Sequence, residues 1–156
     1  MELYLVQHGE AMTKDQNPER PLTEQGMATA RRVAALASRL GVQVAEIRHS
    51  EKLRAVQTAQ VFEQALGAPC KQAPGLTPND DINPVRREVA SRPGNLMLVG
   101  HLPFLSRLAG ALLAQDESLP VVGFQMAGLV RVDRREDGRW SLRWLLPPEV
   151  LQQQQS

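Results

Sequence analysis

Residues 3–10, LYLVQHGE, decide how this chain is read. Leu3 to Val6 form a continuous apolar run that stops abruptly, the signature of a short strand buried on both faces. His8 follows the run, and Gly9 supplies a residue that tolerates a tight exit. In an open α/β sheet the crevice beyond the carboxyl ends of parallel strands is where ligands bind, so His8 is expected on the functional edge. Two later segments end in the same manner, at Ser50 and at Gly100-His101.

Outward from this strand, Glu10 to Thr23 is a polar loop containing Asn17-Pro18 and Arg20-Pro21. Thr23 is expected to cap a helix running to about Leu40, with Glu24 in the first turn where a negative charge suits the helix dipole. Its inner stripe would be Met27, Ala30, Val33, Ala34, Ala37 and Leu40, and Gly41 would end it. Val42 to His49 holds a second strand. Ser50 is expected to cap a helix from Glu51 to Leu66, with Leu53, Val56, Ala59, Phe62 and Leu66 inside and Gly67 as terminator. Pro84 suits the first position of a modest helix that stops before Pro93-Gly94. Leu96 to Val99 is wholly apolar and predicts a central strand, after which Pro103 opens a helix with Phe104, Leu105, Leu108, Leu112 and Leu113 inward. Gly128 to Asp133 and Trp140 to Leu145 alternate around Asp137-Gly138 and predict a hairpin. Arg131, Arg134, Arg135, Glu136 and Asp137 would be its solvated charges, and Trp140 and Trp144 would share one face by parity. The Gln152 to Gln155 run is low in complexity and expected to fray.

Strands alternating with helices indicate βαβ crossovers. The expected fold is a three-layer α/β/α sandwich whose central sheet is mostly parallel with an antiparallel element, in one domain over residues 1–150 followed by a polar tail, 151–156. A chain of 156 residues with 42% apolar content suffices for one core. The formal charge of +1, from 18 basic and 17 acidic residues, argues against nucleic acid or membrane as a partner, so any anion site must be local. Cys70 stands alone, which excludes an internal disulfide and a cysteine-built zinc site and fits a reducing compartment. The acidic start and the absence of a long apolar run lead to the expectation of a cytoplasmic, soluble monomer.

Three strand ends bring His8, Ser50 with Arg54, and His101 to one edge. Arg54 lies early in its helix, where side chains tilt toward the N-terminus and hence toward the strand ends. Two imidazoles and a guanidinium near helix N-termini form a pocket for a compact dianion. A metal is disfavoured: His8, His49 and His101 include no H-x-x-x-H pair, and Arg54 would repel a cation. His49 is expected to line the pocket and Ser50 to cap its helix.

The order His-Gly after the first strand, Arg-Pro-Leu-Thr at residues 20–23 with Gly26 beyond it, Leu-Arg-Ala-x-Gln-Thr-Ala at 53–59 and Val-Gly-His at 99–101 resembles the histidine phosphatase (phosphoglycerate mutase-like) superfamily. The length and the Gly-His-Leu-Pro at 100–103 are similar to its SixA-type phosphohistidine phosphatase branch, and the resemblance spans residues 3 to about 113. It implies that His8 is the nucleophile, forming a phosphohistidine that water hydrolyses. A neutral imidazole is nucleophilic near pH 7 without a separate base. Arg54 and a protonated His101 would hold the phosphoryl oxygens, with Arg20, Gly9 and Gln7 also binding phosphate. The implied substrate is phosphate on protein histidine, for example on a histidine-phosphotransfer protein, or a small phosphomonoester; no cofactor is implied. A mutase is disfavoured because the chain is too short for the lid insertions of larger relatives.

The chain departs from the family where Arg-His-Gly is expected, since Gln7 replaces the arginine. Gln7 can donate an amide hydrogen bond but lacks the charge and bidentate fork. The difference, on the order of 1 to 2 kcal/mol, corresponds to about a tenfold slower reaction. The alternative is therefore a phosphate- or phosphoprotein-binding module with weakened catalysis. Asp81 is the candidate proton donor to the leaving group, with Asp80 as its rival and helix capping as the competing role.

Overall fold

The fold, taken from a computed structural model, is described for residues 1–152. All but the first residue of the Gln152–Gln155 run lies outside the described residues. The elements in chain order are β1 (Glu2–Gln7), α1 (Glu24–Arg39), β2 (Glu46–His49), α2 (Leu53–Leu66), β3 (Cys70–Gln72), α3 (Asn83–Ser91), β4 (Leu96–Gly100), α4 (Phe104–Ala114), β5 (Leu129–Arg134), β6 (Trp140–Leu146) and α5 (Glu149–Gln152). The strands form one sheet in the order β3-β2-β4-β1-β5-β6. The pairs β2/β3, β2/β4 and β1/β4 are parallel, and β1/β5 and β5/β6 are antiparallel. Among the described residues, no helix is long and apolar enough to cross a membrane.

Alternation along β1 and β4 divides the interior in two. Tyr4, Val6, Met97 and Val99 pack with Val33, Ala37 and Phe62 of α1 and α2 on one face. Leu3, Leu5, Leu96 and Leu98 pack with Val85, Val89, Phe104 and Leu108 of α3 and α4 on the other. These two apolar layers make the three-layer sandwich, and the wholly buried β4 sits beside β1 at its centre. Thr23 caps α1 through its side chain, which accepts from Gly26 N–H, and Gly41 (φ +76°) ends the exit from that helix.

Several expectations need correction. Leu40 is 57% exposed, because the chain turns away just after α1 and Val42 takes the buried place. α2 begins at Leu53 with Lys52 as its cap, not at Glu51 with Ser50, and its buried row is Ala55, Thr58, Ala59, Val61 and Phe62. Leu53, Val56 and Leu66 are only half-buried. β2 starts at Glu46, later than the apolar residues before it suggested. The two tryptophans fall on opposite faces, since the register shifts between Arg131 and Val132 and Arg143 is left without an opposite residue. Trp144 meets Tyr4 at 6.1 Å between ring centroids, whereas Trp140 packs on the α3/α4 side. Arg131 and Arg134 are not merely solvated: Arg131 pairs with Glu2 and Asp133, and Arg134 donates to the Val89 and Arg92 carbonyls.

Candidate functional site

Parallel pairing of β1 with β4 sets Gln7 opposite Gly100, so His8 and His101 leave adjacent strands at the same level. The His8 N–H donates to the Gly100 carbonyl at 3.0 Å, closing the ladder one residue beyond the strand. The two rings consequently face one another, with centroids 5.1 Å apart and planes inclined by 49°. His8 Nδ1 lies 2.8 Å from the Gly9 carbonyl. A carbonyl only accepts, so Nδ1 carries the proton and Nε2 keeps a free lone pair.

His101 is buried, with Nε2 at 2.6 Å from Ser50 Oγ. Its Nδ1 is buried with no hydrogen-bond partner among the described residues. Ser50 is therefore the companion of His101 and not the helix cap; Lys52 N–H reaches its hydroxyl only at 3.4 Å. Arg54 is the second residue of α2, and its Nε is likewise buried and unpartnered. Arg20 sits in the left-handed region (φ +51°), where an arginine is strained, and is fixed there by its Nε donating to the Met12 carbonyl at 3.1 Å. Among the described residues, neither Arg20 nor Arg54 forms an ion pair.

The first motif's loop is held by groups that the sequence did not flag. Gly9 N–H donates to Thr58 Oγ1 at 2.9 Å, and Thr58 in turn donates to the Arg54 carbonyl at 2.8 Å. Thr58 thus ties the His8 turn to the helix bearing Arg54. Gln57 accepts from Leu22 N–H at 2.7 Å and anchors the loop that carries Arg20. The adjacent Gln-Thr of residues 57–58 is the signal the sequence offers for them, a quiet one because only Arg54 of that motif carries charge. Gly9 needs correction as a phosphate ligand, since its amide is engaged by Thr58.

Other expected residues lie apart from this cluster. Gln7 lines a cleft of about 540 Å³ together with Glu10, Leu102, Phe124 and Met126, whereas Arg20 and Arg54 line a second cavity of about 380 Å³. Asp81 is exposed, and its carboxylate accepts from Asn83 N–H at 3.0 Å at the opening of α3. Asp80 accepts from the Thr77 N–H and hydroxyl. His49 is buried with Nδ1 at 2.9 Å from the Ser50 carbonyl, and it borders neither cavity.

Burial first, then the neighbouring His8, Arg54, Lys52 and Arg20, hold His101 down to about 3. Burial also depresses His8, opposed by its bond to the Gly9 carbonyl and reinforced by Arg54 and Arg20. His101 is therefore held in the neutral form in the absence of an anion, and the protonated form expected for phosphate binding needs an anion's charge beside it. The same cations that expel its proton favour an incoming anion. His101 is depressed on folding, so the unfolded chain binds the extra proton, and stability falls once pH drops below the ordinary histidine value. The loss is expected to reach about 2 kcal/mol at pH 5 relative to pH 7, and to continue growing down to about pH 3. Urea unfolding at the two pH values, for the natural chain and for His101→Gln, checks this. An equal drop in both would remove His101 as its source.

With this geometry in hand, known proteins add their weight. A family model described as the histidine phosphatase superfamily (branch 1) matches residues 3–78. A protein from Picosynechococcus sp. (strain ATCC 27264 / PCC 7002 / PR-6) is 30% identical over 166 aligned residues, covering 94% of this chain and 100% of that protein. Phosphohistidine phosphatase SixA of Escherichia coli (strain K12) is 26% identical over 155 residues, covering 95% of this chain and 94% of SixA. The solved structure of the protein histidine phosphatase SixA complexed with tungstate superimposes with a TM-score of 0.86 at 25% identity, covering 97% of this chain and 99% of that one. Facing histidines on adjacent strand ends, the ordered motifs and these likenesses together place the chain in the histidine phosphatase superfamily, in its SixA-type branch.

Proposed function

We propose that this chain is a phosphatase that removes the phosphoryl group from protein phosphohistidine through a covalent intermediate on His8. The observation that carries the reading is the free Nε2 of His8, whose ring faces His101, in a site where Arg20 and Arg54 form no ion pair among the described residues. The family membership and the tungstate held by the SixA relative, a tetrahedral oxyanion like phosphate, support it.

In the first step, the Nε2 lone pair of His8 forms a bond to phosphorus as the bond to the substrate's imidazole nitrogen breaks. The electron pair leaves with that imidazole, which takes a proton readily near neutrality. Arg54 and Arg20 offset charge on the phosphoryl oxygens, and His101 gains its proton as the dianion enters. In the second step, water attacks the phosphohistidine, orthophosphate departs and His8 regains its lone pair. Phosphohistidine is favoured over a monoester with a poor leaving group because its imidazole needs no dedicated acid, and three candidate carboxylates are engaged: Asp81 accepts from Asn83 N–H, Asp80 from Thr77 and Glu10 from Thr23. No step is assigned to Asp81.

Orthophosphate release from a phosphohistidine-bearing protein, measured for the natural chain and for His8→Ala, tests this reading. Release is expected from the natural chain alone, accompanied by an acid-labile phosphoenzyme. Equal release from both proteins, or none from either, sinks it.

One observation favours a second reading, a phosphate-binding module: Gln7 brings no charge to the place where the family has arginine, and it faces the larger cleft. Gln7→Arg is expected to raise kcat/KM by about tenfold, the worth of replacing a neutral hydrogen bond with a charged one. A natural chain that binds orthophosphate but turns nothing over, and gains turnover only in Gln7→Arg, would establish the module instead. Unchanged kinetics and affinity in that variant would mean that position 7 does not reach the phosphoryl group.

A further inference from the structure

The cavity of about 380 Å³ that Arg20 and Arg54 line carries more positive charge than one phosphoryl group requires. Its wall includes Lys14, Arg20, Lys52 and Arg54, against the single carboxylate of Glu19. None of these four cations forms an ion pair among the described residues, in a chain whose formal charge is only +1. Elsewhere Arg48 and Arg92 pair with Glu46 and Glu88, Arg107 with Glu117, and Arg131 with Glu2 and Asp133, while other cations without an ion pair among the described residues, such as Arg31, Arg39, Arg86 and Arg139, lie outside this cavity's lining. The cations in the cavity also divide by position. Arg20 and Arg54 line the cavity, and their charge is felt at His8. Lys52 is half-buried and its charge is felt at His101, while Lys14 is exposed at the rim. Concentrated like charge is unfavourable unless an anion offsets it, and a cavity several times the size of a phosphoryl group leaves room for a further anionic group.

We propose that this cavity is a second anion subsite, in which Lys14 and Lys52 hold a carboxylate or phosphate of the same molecule whose phosphoryl group lies between His8 and Arg54. The inference deepens the phosphatase reading and rests on it for the fate of the first anion. It makes the preferred substrate a phosphorylated molecule with a second negative group close by. Two sources share that chemistry: an acidic side chain flanking a protein phosphohistidine, and a second phosphate on a small molecule.

Binding can be measured without turnover, which separates this inference from the reading beneath it. Titration calorimetry of the intact chain with orthophosphate and with inorganic tripolyphosphate, at physiological ionic strength, is expected to show tripolyphosphate bound about tenfold more tightly, the worth of two partly exposed charge contacts. Lys14→Gln/Lys52→Gln is expected to erase most of that preference. Lys71→Gln, which removes a lysine that pairs with Glu46 and lies outside the cavity lining, is expected to keep it. A preference that survives in the double variant, or that falls equally in Lys71→Gln, overturns the subsite. Phosphohistidine peptides with acidic or neutral flanks then identify the source. Faster release from the acidic peptide, lost in the double variant, assigns the protein side chain, and equal release with the tripolyphosphate preference intact assigns a second phosphate. No release from either peptide counts against the phosphatase reading, while calorimetry alone decides the subsite.

Discussion

Arg54→Ala is expected to lower kcat/KM for orthophosphate release by about 10³-fold or more, the range over which a supplied arginine matters in phosphoryl transfer. The expectation rests on the state of the empty site. Arg54 Nε is buried without a partner among the described residues, and burial and Arg20 both weaken the hold of its guanidinium on its proton. Leaving such a group unsatisfied is costly unless a ligand's oxygens complete it, so the benefit is realised when the phosphoryl group is bound and is greatest when charge spreads over its oxygens. Arg54→Lys should recover only a small part, because an ammonium on a flexible stem cannot reproduce the planar fork. Steady-state kinetics of the three proteins, with tungstate affinity measured in parallel, checks this. A loss below tenfold in Arg54→Ala would mean that the guanidinium points away from the reacting group.

The residues that could be read from sequence were those whose place follows from local grammar. His8 and His101 each follow an apolar strand and precede a turn, and parallel pairing of those strands is enough to bring them together. Arg54 follows from the tilt of side chains at a helix start. What could not be read depends on contacts between distant segments. A serine after a strand looks like a cap from its neighbours alone, and only the fold reveals His101, 51 residues away, at its hydroxyl. Thr58 appears on a helical wheel as one polar residue among apolar ones, yet Gly9 and the Arg54 carbonyl draw it into the interior. Parity puts Trp140 and Trp144 on one face because it assumes an unbroken register, and nothing between them marks the extra residue at Arg143. The neutral state of His101 escaped for a related reason: it depends on burial and on four groups from other segments.

Gly26 shows how a motif residue far from any chemistry can govern the site. A Cβ built there would lie 2.1 Å from the Glu10 carbonyl oxygen and 3.0 Å from its carbon, both backbone atoms with no rotamer to move. That carbonyl also accepts from Thr23 N–H at 2.9 Å, while Thr23 Oγ1 accepts from Gly26 N–H at 2.9 Å, so the first turn of α1 is clamped onto the loop after His8. Gly26→Ala must either open this clamp or displace the Gly9–Glu10 backbone. The expected cost is about 3 kcal/mol, the upper end for overpacking against rigid neighbours, or roughly 6 to 12 °C in Tm for a chain of this size. Gly123→Ala is the control: a Cβ there meets nothing within 4 Å, and its stability should stay within about 0.5 kcal/mol. Because Gly9 lies against the same turn, with its own Cβ position 3.1 Å from the Gly26 carbonyl oxygen, the displaced loop should carry the His8 backbone with it. Orthophosphate affinity of the Gly26→Ala protein, measured well below its lowered Tm, should therefore fall as well. If Gly26→Ala melted with Gly123→Ala and bound orthophosphate equally well, α1 would not press on Glu10, and the loop bearing His8 would owe its position to Thr58 alone.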